Sequence, residues 1–163
     1  MQFEIQMPLL PDMVRLNARW YPSKAAVIDE QRSLSWRELD RASNQIANGL
    51  RALGVGRAES VAILMENSVE YLEVLYGIFK SGATAVPLNL AVTESGLTMM
   101  LRDAAARVLF CTDTQFRRLA EHLADVGSLV PDGVIVHEAE GLNYASWRDA
   151  QSDAAPEVRI AAE

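Results

Sequence analysis

An open α/β sheet, mostly parallel and covered by helices on both faces, is the fold class this sequence predicts. Three observations carry it. Short unalternating apolar runs such as Val61-Ala62-Ile63-Leu64-Met65 have the pattern of strands buried on both faces. Between those runs lie stretches whose apolar residues recur at three- and four-residue steps, the period of an amphipathic helix. The connections are short, so strand and helix alternate as they do in layered α/β folds.

Taken in chain order, a helix is expected over residues 12–20, ended by Pro22, followed by short strands over 25–28 and 33–35 around the polar turn 29–32. Over 36–53, Leu39, Ala42, Ile46, Leu50 and Leu53 form one apolar face. Ser35, with Glu38 three residues on, has the pattern of a capping box, in which hydroxyl and carboxylate each satisfy an orphan amide. Gly54 is placed to take the left-handed conformation that stops this helix. A strand over 61–65 leads to Ser68, which caps a helix running to residue 81. Val69, Leu72, Val74, Leu75, Ile78 and Phe79 occupy so much of its circumference that it must be covered on more than one side. Gly82 ends it, and Thr84-Ala85-Val86 reads as a buried strand that stops at Pro87. Thr93 opens a helix to residue 103, 107–111 is a strand, and Asp113 or Thr114 opens a helix to residue 124. A strand over 133–137 and a short helix over 144–150 complete the alternation, and the small, polar stretch 151–163 reads as a linker.

Composition narrows the function. The 163 residues carry 15 basic and 22 acidic side chains, a formal charge of -7. The 13 arginines and 2 lysines are scattered among acids, which argues against a nucleic-acid partner, since neutralising phosphates needs a concentrated basic surface. A domain of this length buries roughly 70% of its unfolded surface, enough for one full core. The single cysteine, Cys111, cannot form an internal disulfide, and no cysteine–histidine cluster suggests a metal. No apolar run reaches the roughly 18 residues of a membrane span, and the first residues lack the charged start and apolar run of a leader. The cytoplasm is the expected compartment.

Ligands of open α/β sheets bind at the carboxyl ends of the strands. Three loops occupy such positions here: Glu66-Asn67-Ser68, residues 88–93, and Thr112-Asp113. Ser68, Thr93 and Asp113 stand where helix caps are needed, which leaves Asn67 and Asn89 as the candidate crevice residues. Gly54-Val55-Gly56 is no dinucleotide fingerprint, because it follows a helix and lacks the third glycine. Neither Lys24 nor Lys80 follows the glycine pattern of a phosphate loop. His122 and His137 have no nucleophile pattern nearby and read as surface or satisfied histidines, and Cys111 as a small buried hydrophobe. No catalytic, cofactor-binding or metal-ligating constellation is assigned.

The order of several segments is similar to that of a known family. Ser33-Leu34-Ser35-Trp36-Arg37-Glu38-Leu39-Asp40, Asn44-Gln45-Ile46-Ala47 and Leu50-Arg51-Ala52-Leu53-Gly54-Val55-Gly56 resemble the opening of the adenylate-forming enzymes, above all the acyl-CoA synthetases. Val61 to Tyr71, with Asn67-Ser68-Val69-Glu70, resembles the family's strand and "N-S-x-E" helix start. Lys80-Ser81-Gly82-Ala83-Thr84-Ala85-Val86-Pro87-Leu88-Asn89 resembles its "K-x-G-A-x-x-x-P-L-N" segment, and Leu101-Arg102-Asp103-Ala104 with Ala106-Arg107-Val108-Leu109 the next helix and strand. The likeness is dense from Pro11 to Asp113 and thinner beyond.

The resemblance implies a carboxylic acid:coenzyme A ligase that uses ATP and Mg2+ to make an acyl-adenylate and passes the acyl group to coenzyme A, with a fatty acid favoured as the small-molecule substrate. It implies that residues 1–150 are the N-terminal portion of the AMP-binding large domain and 151–163 a polar linker leading toward a phosphate loop. The catalytic motifs of the family lie downstream, so the 163 residues alone are expected to be inactive and to bind no cofactor. Surface normally covered by the rest of such an enzyme is expected to make them self-associate. One departure concerns the acceptor: many relatives read "P-L-N-P-R-L", and here Leu90 and Ala91 replace the proline and the arginine that holds a coenzyme phosphate in some ligases. Two alternatives stand beside this reading, an adenylation domain that loads a carrier protein and a free-standing, noncatalytic α/β binding module.

Overall fold

Ser35 closes the capping box that the sequence predicts: its backbone N–H and hydroxyl donate to Glu38 Oε2 at 2.8 and 2.6 Å, and its Oγ accepts from the Glu38 amide at 3.3 Å. The structure, a computed structural model, describes residues 9–123, 126–137 and 143–158. Their elements run α1 (Leu10–Trp20), β1 (Ala25–Ile28), β2 (Ser33–Ser35), α2 (Trp36–Ala52), β3 (Ser60–Leu64), α3 (Val69–Ser81) and β4 (Thr84–Pro87). They continue through α4 (Glu94–Asp103), β5 (Ala106–Thr112), α5 (Asp113–His122), a 3-10 turn (Gly127–Leu129), β6 (Gly133–His137) and α6 (Tyr144–Asp149). Among the described residues no helix is long and apolar enough to cross a membrane.

β1 and β2 form an antiparallel hairpin, and the other four strands form one parallel sheet in the order β4–β3–β5–β6. Ile63 stands between Pro87 on one side and Phe110 on the other, and Phe110 pairs onward with Ile135. Because strand side chains alternate, the sheet has two apolar faces. Val61, Ile63, Val108, Phe110 and Ile135 meet Ile46 and Leu50 of α2, Val74 and Ile78 of α3 and Tyr144 of α6. Ala62, Leu64, Leu109, Cys111 and Val136 meet Leu97 and Leu101 of α4 and Leu119 of α5. The expected class, an open parallel sheet with helices on both faces, is what folds, with α1 packed outside α2.

Several boundaries move for identifiable reasons. α1 begins two residues early because Pro11 tolerates the first turn and the Asp12 carboxylate accepts the Leu9 N–H at 3.1 Å. β4 includes Pro87 and exposes both of its ends, so among the described residues it is an edge strand and not the buried one expected; an edge needs no N–H from its proline. Asp113 is the first residue of α5, the cap position being Thr112, whose side chain makes no capping bond. α5 ends at His122, short of the expected residue 124, because Leu123 is already extended; residue 124 itself lies outside the described residues. Gly82 ends α3 at φ 85°, as its position predicts.

The stretch read as a linker forms no helix or strand over 151–158 but does not hang free. Residues 151–158 lie against the body: Asn44 Nδ2 donates to the Asp153 carbonyl at 3.1 Å, and Asn48 Nδ2 to those of Ser152 and Ala154 at 2.7 and 2.9 Å. A small, polar composition says nothing of what binds the backbone, and here the side-chain amides of Asn44 and Asn48 do.

Candidate functional site

The winding of the sheet locates a crevice. From β3 the chain goes through α3 to β4 on one side, and from β4 it returns through α4 to β5 on the other side of β3. The connections leaving β3 and β5 therefore cover opposite faces, and the gap between the carboxyl ends of these two strands is the topological switch point where such sheets take ligands.

Glu66 spans that gap. Its Oε2 accepts from the Thr112 hydroxyl and its Oε1 from Gln115 Nε2, both at 2.8 Å, which ties the end of β3 to the end of β5. Partial burial pushes the Glu66 carboxyl up, but the bonds from Gln115 and Thr112 outweigh it and hold the group below the usual glutamate range. Asn67, one residue on, is exposed at the same rim. Ser68 serves the cap expected of it and accepts the Tyr71 N–H at 3.1 Å. Asp113 pairs with Arg117 on the first turn of α5, 2.7 Å from Oδ2 to Nε.

Asn89 sits one strand away, beyond β4, and has a local task the sequence did not show: its Oδ1 accepts the Ala91 N–H at 2.9 Å in an Asx turn. The loop it opens is held from outside by Arg118 of α5, which donates to the carbonyls of Leu90, at 2.7 Å, and Val92, and pairs with Glu94. Asn67 and Asn89 thus share the carboxyl edge of the sheet without meeting in a common set of partners.

A second polar cluster lies on the face of α3. Glu73, 1% exposed, accepts from Arg32 at 3.0 Å, from Arg148 at 2.7 Å and from the Tyr144 hydroxyl. Burial first, then the Glu73 charge, pushes the Tyr144 hydroxyl well above its ordinary pKa. This node opens into a cleft of about 450 Å³ lined by Arg32, Leu34, Glu38, Arg41, Gln45 and Arg148. His137 stands at its margin, its Nε2 3.9 Å from Glu70 and its ring edge-on to Tyr144, and His122 is exposed on α5. Sequence reading missed Glu66, Glu73 and Arg118. For Glu73 and Arg118 the one available signal was a charge inside an otherwise apolar or short helical face.

Cys111 is buried on β5, and burial, with Asp113 and Glu66 nearby, pushes its thiol up to about 12. A thiol reagent at pH 8 is expected to leave the folded protein unlabelled and to react fully in denaturant; rapid labelling of the native protein would contradict the packing of β5 against α5.

The group at the switch point is an ionised carboxylate, the loops around it carry no glycine-rich run of free amides, and among the described residues no three His, Cys, Asp or Glu side chains gather to hold a metal ion. What the arrangement supplies is a rigid, acidic edge.

Comparison with known proteins gives this edge a context. Residues 14–162 match the family model described as AMP-binding enzyme. A fatty acid–[acyl-carrier-protein] ligase from Streptomyces coeruleorubidus is 33% identical over 151 residues, covering 93% of this chain and 28% of that protein. A 3-hydroxybenzoate–CoA/4-hydroxybenzoate–CoA ligase from Thauera aromatica is 32% identical over 144 residues, covering 85% of this chain and 27% of that protein. Among solved structures, the N-terminal domain of FACL13 from Mycobacterium tuberculosis superposes with a TM-score of 0.85 over 96% of this chain and 40% of that one, at 24% identity. The chain spans little more than a quarter of the length of the two curated relatives.

Proposed function

Since the chain belongs to the AMP-binding enzyme family, we propose that it is the N-terminal portion of the large domain of an adenylate-forming ligase. That ligase activates a fatty acid with ATP to an acyl-adenylate, releases pyrophosphate and transfers the acyl group to coenzyme A. The family match over residues 14–162 carries this reading. Residues 1–150 are then the N-terminal portion of that domain, residues 151–163 the polar linker that leads toward its phosphate loop, and the cytoplasm is its compartment. Mg2+ and the contacts to the triphosphate come from the family's catalytic motifs, which follow these residues in the order of such an enzyme. The described residues build the wall: Glu66 joins β3 to β5, Arg118 fixes the loop after β4, and Asn67 and Asn89 stand apart on the same carboxyl edge. Trp20 and Ile28, 65% and 74% exposed, are apolar surface that the rest of such an enzyme would cover, and through which the 163 residues alone would associate.

A second acceptor has support of its own. One relative transfers a fatty acid to an acyl-carrier protein, and Ala91 lacks the charge that a coenzyme phosphate would meet. In that version the same adenylate is made and a carrier-protein thiol takes the acyl group.

The test is acid-dependent ATP–pyrophosphate exchange, measured on the 163-residue chain and on the complete product of its gene. The complete product is expected to exchange and the 163 residues to fall to background, a loss of at least about 1,000-fold, because electrostatic stabilisation of the transferring phosphoryl group is missing. Exchange by the 163 residues would overturn the expected inactivity, and no exchange by the complete product would overturn the ligase. Thioester formation with coenzyme A against a carrier protein then separates the two acceptors.

A further inference from the structure

After α6 the chain turns back across the sheet's helical layer. Trp147 lies over Gly49, where a Cβ would stand 2.5 Å from its ring, so the absence of a side chain at residue 49 admits the crossing. Gln151 folds back to donate to the Trp147 carbonyl at 2.9 Å. From there the strap passes three amide side chains of α2. Gln45 Nε2 donates to the Gln151 carbonyl at 3.3 Å, Asn44 to that of Asp153, and Asn48 to those of Ser152 and Ala154. At the far end Val158 packs beside Gly82, at the turn into β4.

Two features set this apart from ordinary surface polarity. Asn44 and Gln45 are each only 6% exposed, so their amides are donors that need their acceptors. The orientation of Asn44 is also imposed: Lys80, equally buried, donates to its Oδ1 at 2.8 Å and to Asp40 at 2.6 Å, which leaves the Asn44 NH2 facing the strap. All four acceptors on the strap are main-chain carbonyls, so the row grips backbone and is indifferent to the strap's side chains.

We propose that Asn44, Gln45 and Asn48 are a backbone clamp that sets where the chain following Val158 stands relative to the sheet, with Asn48, which makes two of the four bonds, as its principal grip. The clamp rests on the ligase reading only for its kinetic consequence: these are positioning residues for the adenylation step, acting through the segment they hold.

The experiment has two arms. In the 163-residue protein, 15N relaxation is expected to give backbone order parameters near about 0.85 over 152–157 and below about 0.6 in Asn48→Asp, whose carboxylate repels both carbonyls. Asn48→Gln keeps a donor and is expected to stay ordered. Asp153→Ala is also expected to stay ordered, because it loses only an ion pair with Arg41 whose side chains are 67% and 56% exposed. A strap as ordered in Asn48→Asp as in the wild type, or released equally by Asp153→Ala, overturns the clamp. In the complete gene product, Asn48→Asp is expected to lower kcat/KM for exchange at least about 10-fold with its melting temperature unmoved, and Asn48→Gln to restore it. Unchanged kinetics with a released strap overturn the positioning role. If the wild-type complete product shows no exchange, the ligase reading fails alone, and the order parameters still decide the clamp.

Discussion

Replacing Glu73 with alanine is expected to cost about 3–5 kcal/mol of folding stability, the price of breaking a buried ion pair from one side. The side chain is 1% exposed and holds three partners from two parts of the chain: Arg32 in the hairpin turn, and Tyr144 and Arg148 on α6. Without the carboxylate, Arg148, whose charged form is reinforced by Asp149 and Glu73 against the pull of burial, is left half-satisfied with its side chain only 17% exposed. For a domain of this size the thermal midpoint should fall by about 10 °C or more. The loss comes from the orphaned charges, so Glu73→Ala combined with Arg148→Leu should be less destabilised than the sum of the two single changes. A thermal shift below about 2 °C for Glu73→Ala would show that the node is solvated, contrary to its burial.

Gly77→Ala is the second large effect, and its sign is decided by a competition. Intrinsic propensity favours alanine over glycine inside a helix by about 1 kcal/mol. Against that, a Cβ at residue 77 would lie 2.5 Å from Cβ and Cγ2 of Ile46, so α2 and α3 can accept it only by moving apart along their whole contact. Overpacking of that kind costs about 3 kcal/mol, and the net effect is a clear loss in denaturant titrations. Ile46→Ala should not rescue it, because the Ile46 Cβ is itself one of the clashing atoms. Rescue by Ile46→Ala would mean that the helices are already further apart at this point.

Local signals were legible and long-range ones were not. Ser35, Ser68 and Thr93 bond the amides that their spacing predicts, because a cap is decided within four residues. The strand cores are readable because burial on both faces leaves an apolar run with no alternation. The edge position of β4 is invisible in Thr84-Ala85-Val86-Pro87, since it depends on which strand pairs with which. The same limit hides the polar clusters: Glu73 meets residues 41 and 75 positions away, and Glu66 meets Gln115 49 away. The position of Asn67 on the carboxyl edge follows from strand order alone, whereas the Asx turn of Asn89 depends on the path of the next two residues. The strap defeated composition altogether, for its acceptors are carbonyls, which every residue has.

The central position of β3 also bears on how the molecule comes into being. β3 is the first strand of the parallel sheet to leave the ribosome, and it borders both β4 and β5. Each later strand docks on one already in place, first on one side of the template, then on the other, then outward to β6. Parallel pairings close long loops and are slow to form, so an assembly that adds one neighbour at a time in the order of translation keeps the bare edges few. The stretch translated last among the described residues, 151–158, then fastens α2, translated before any strand of that sheet, to the finished whole.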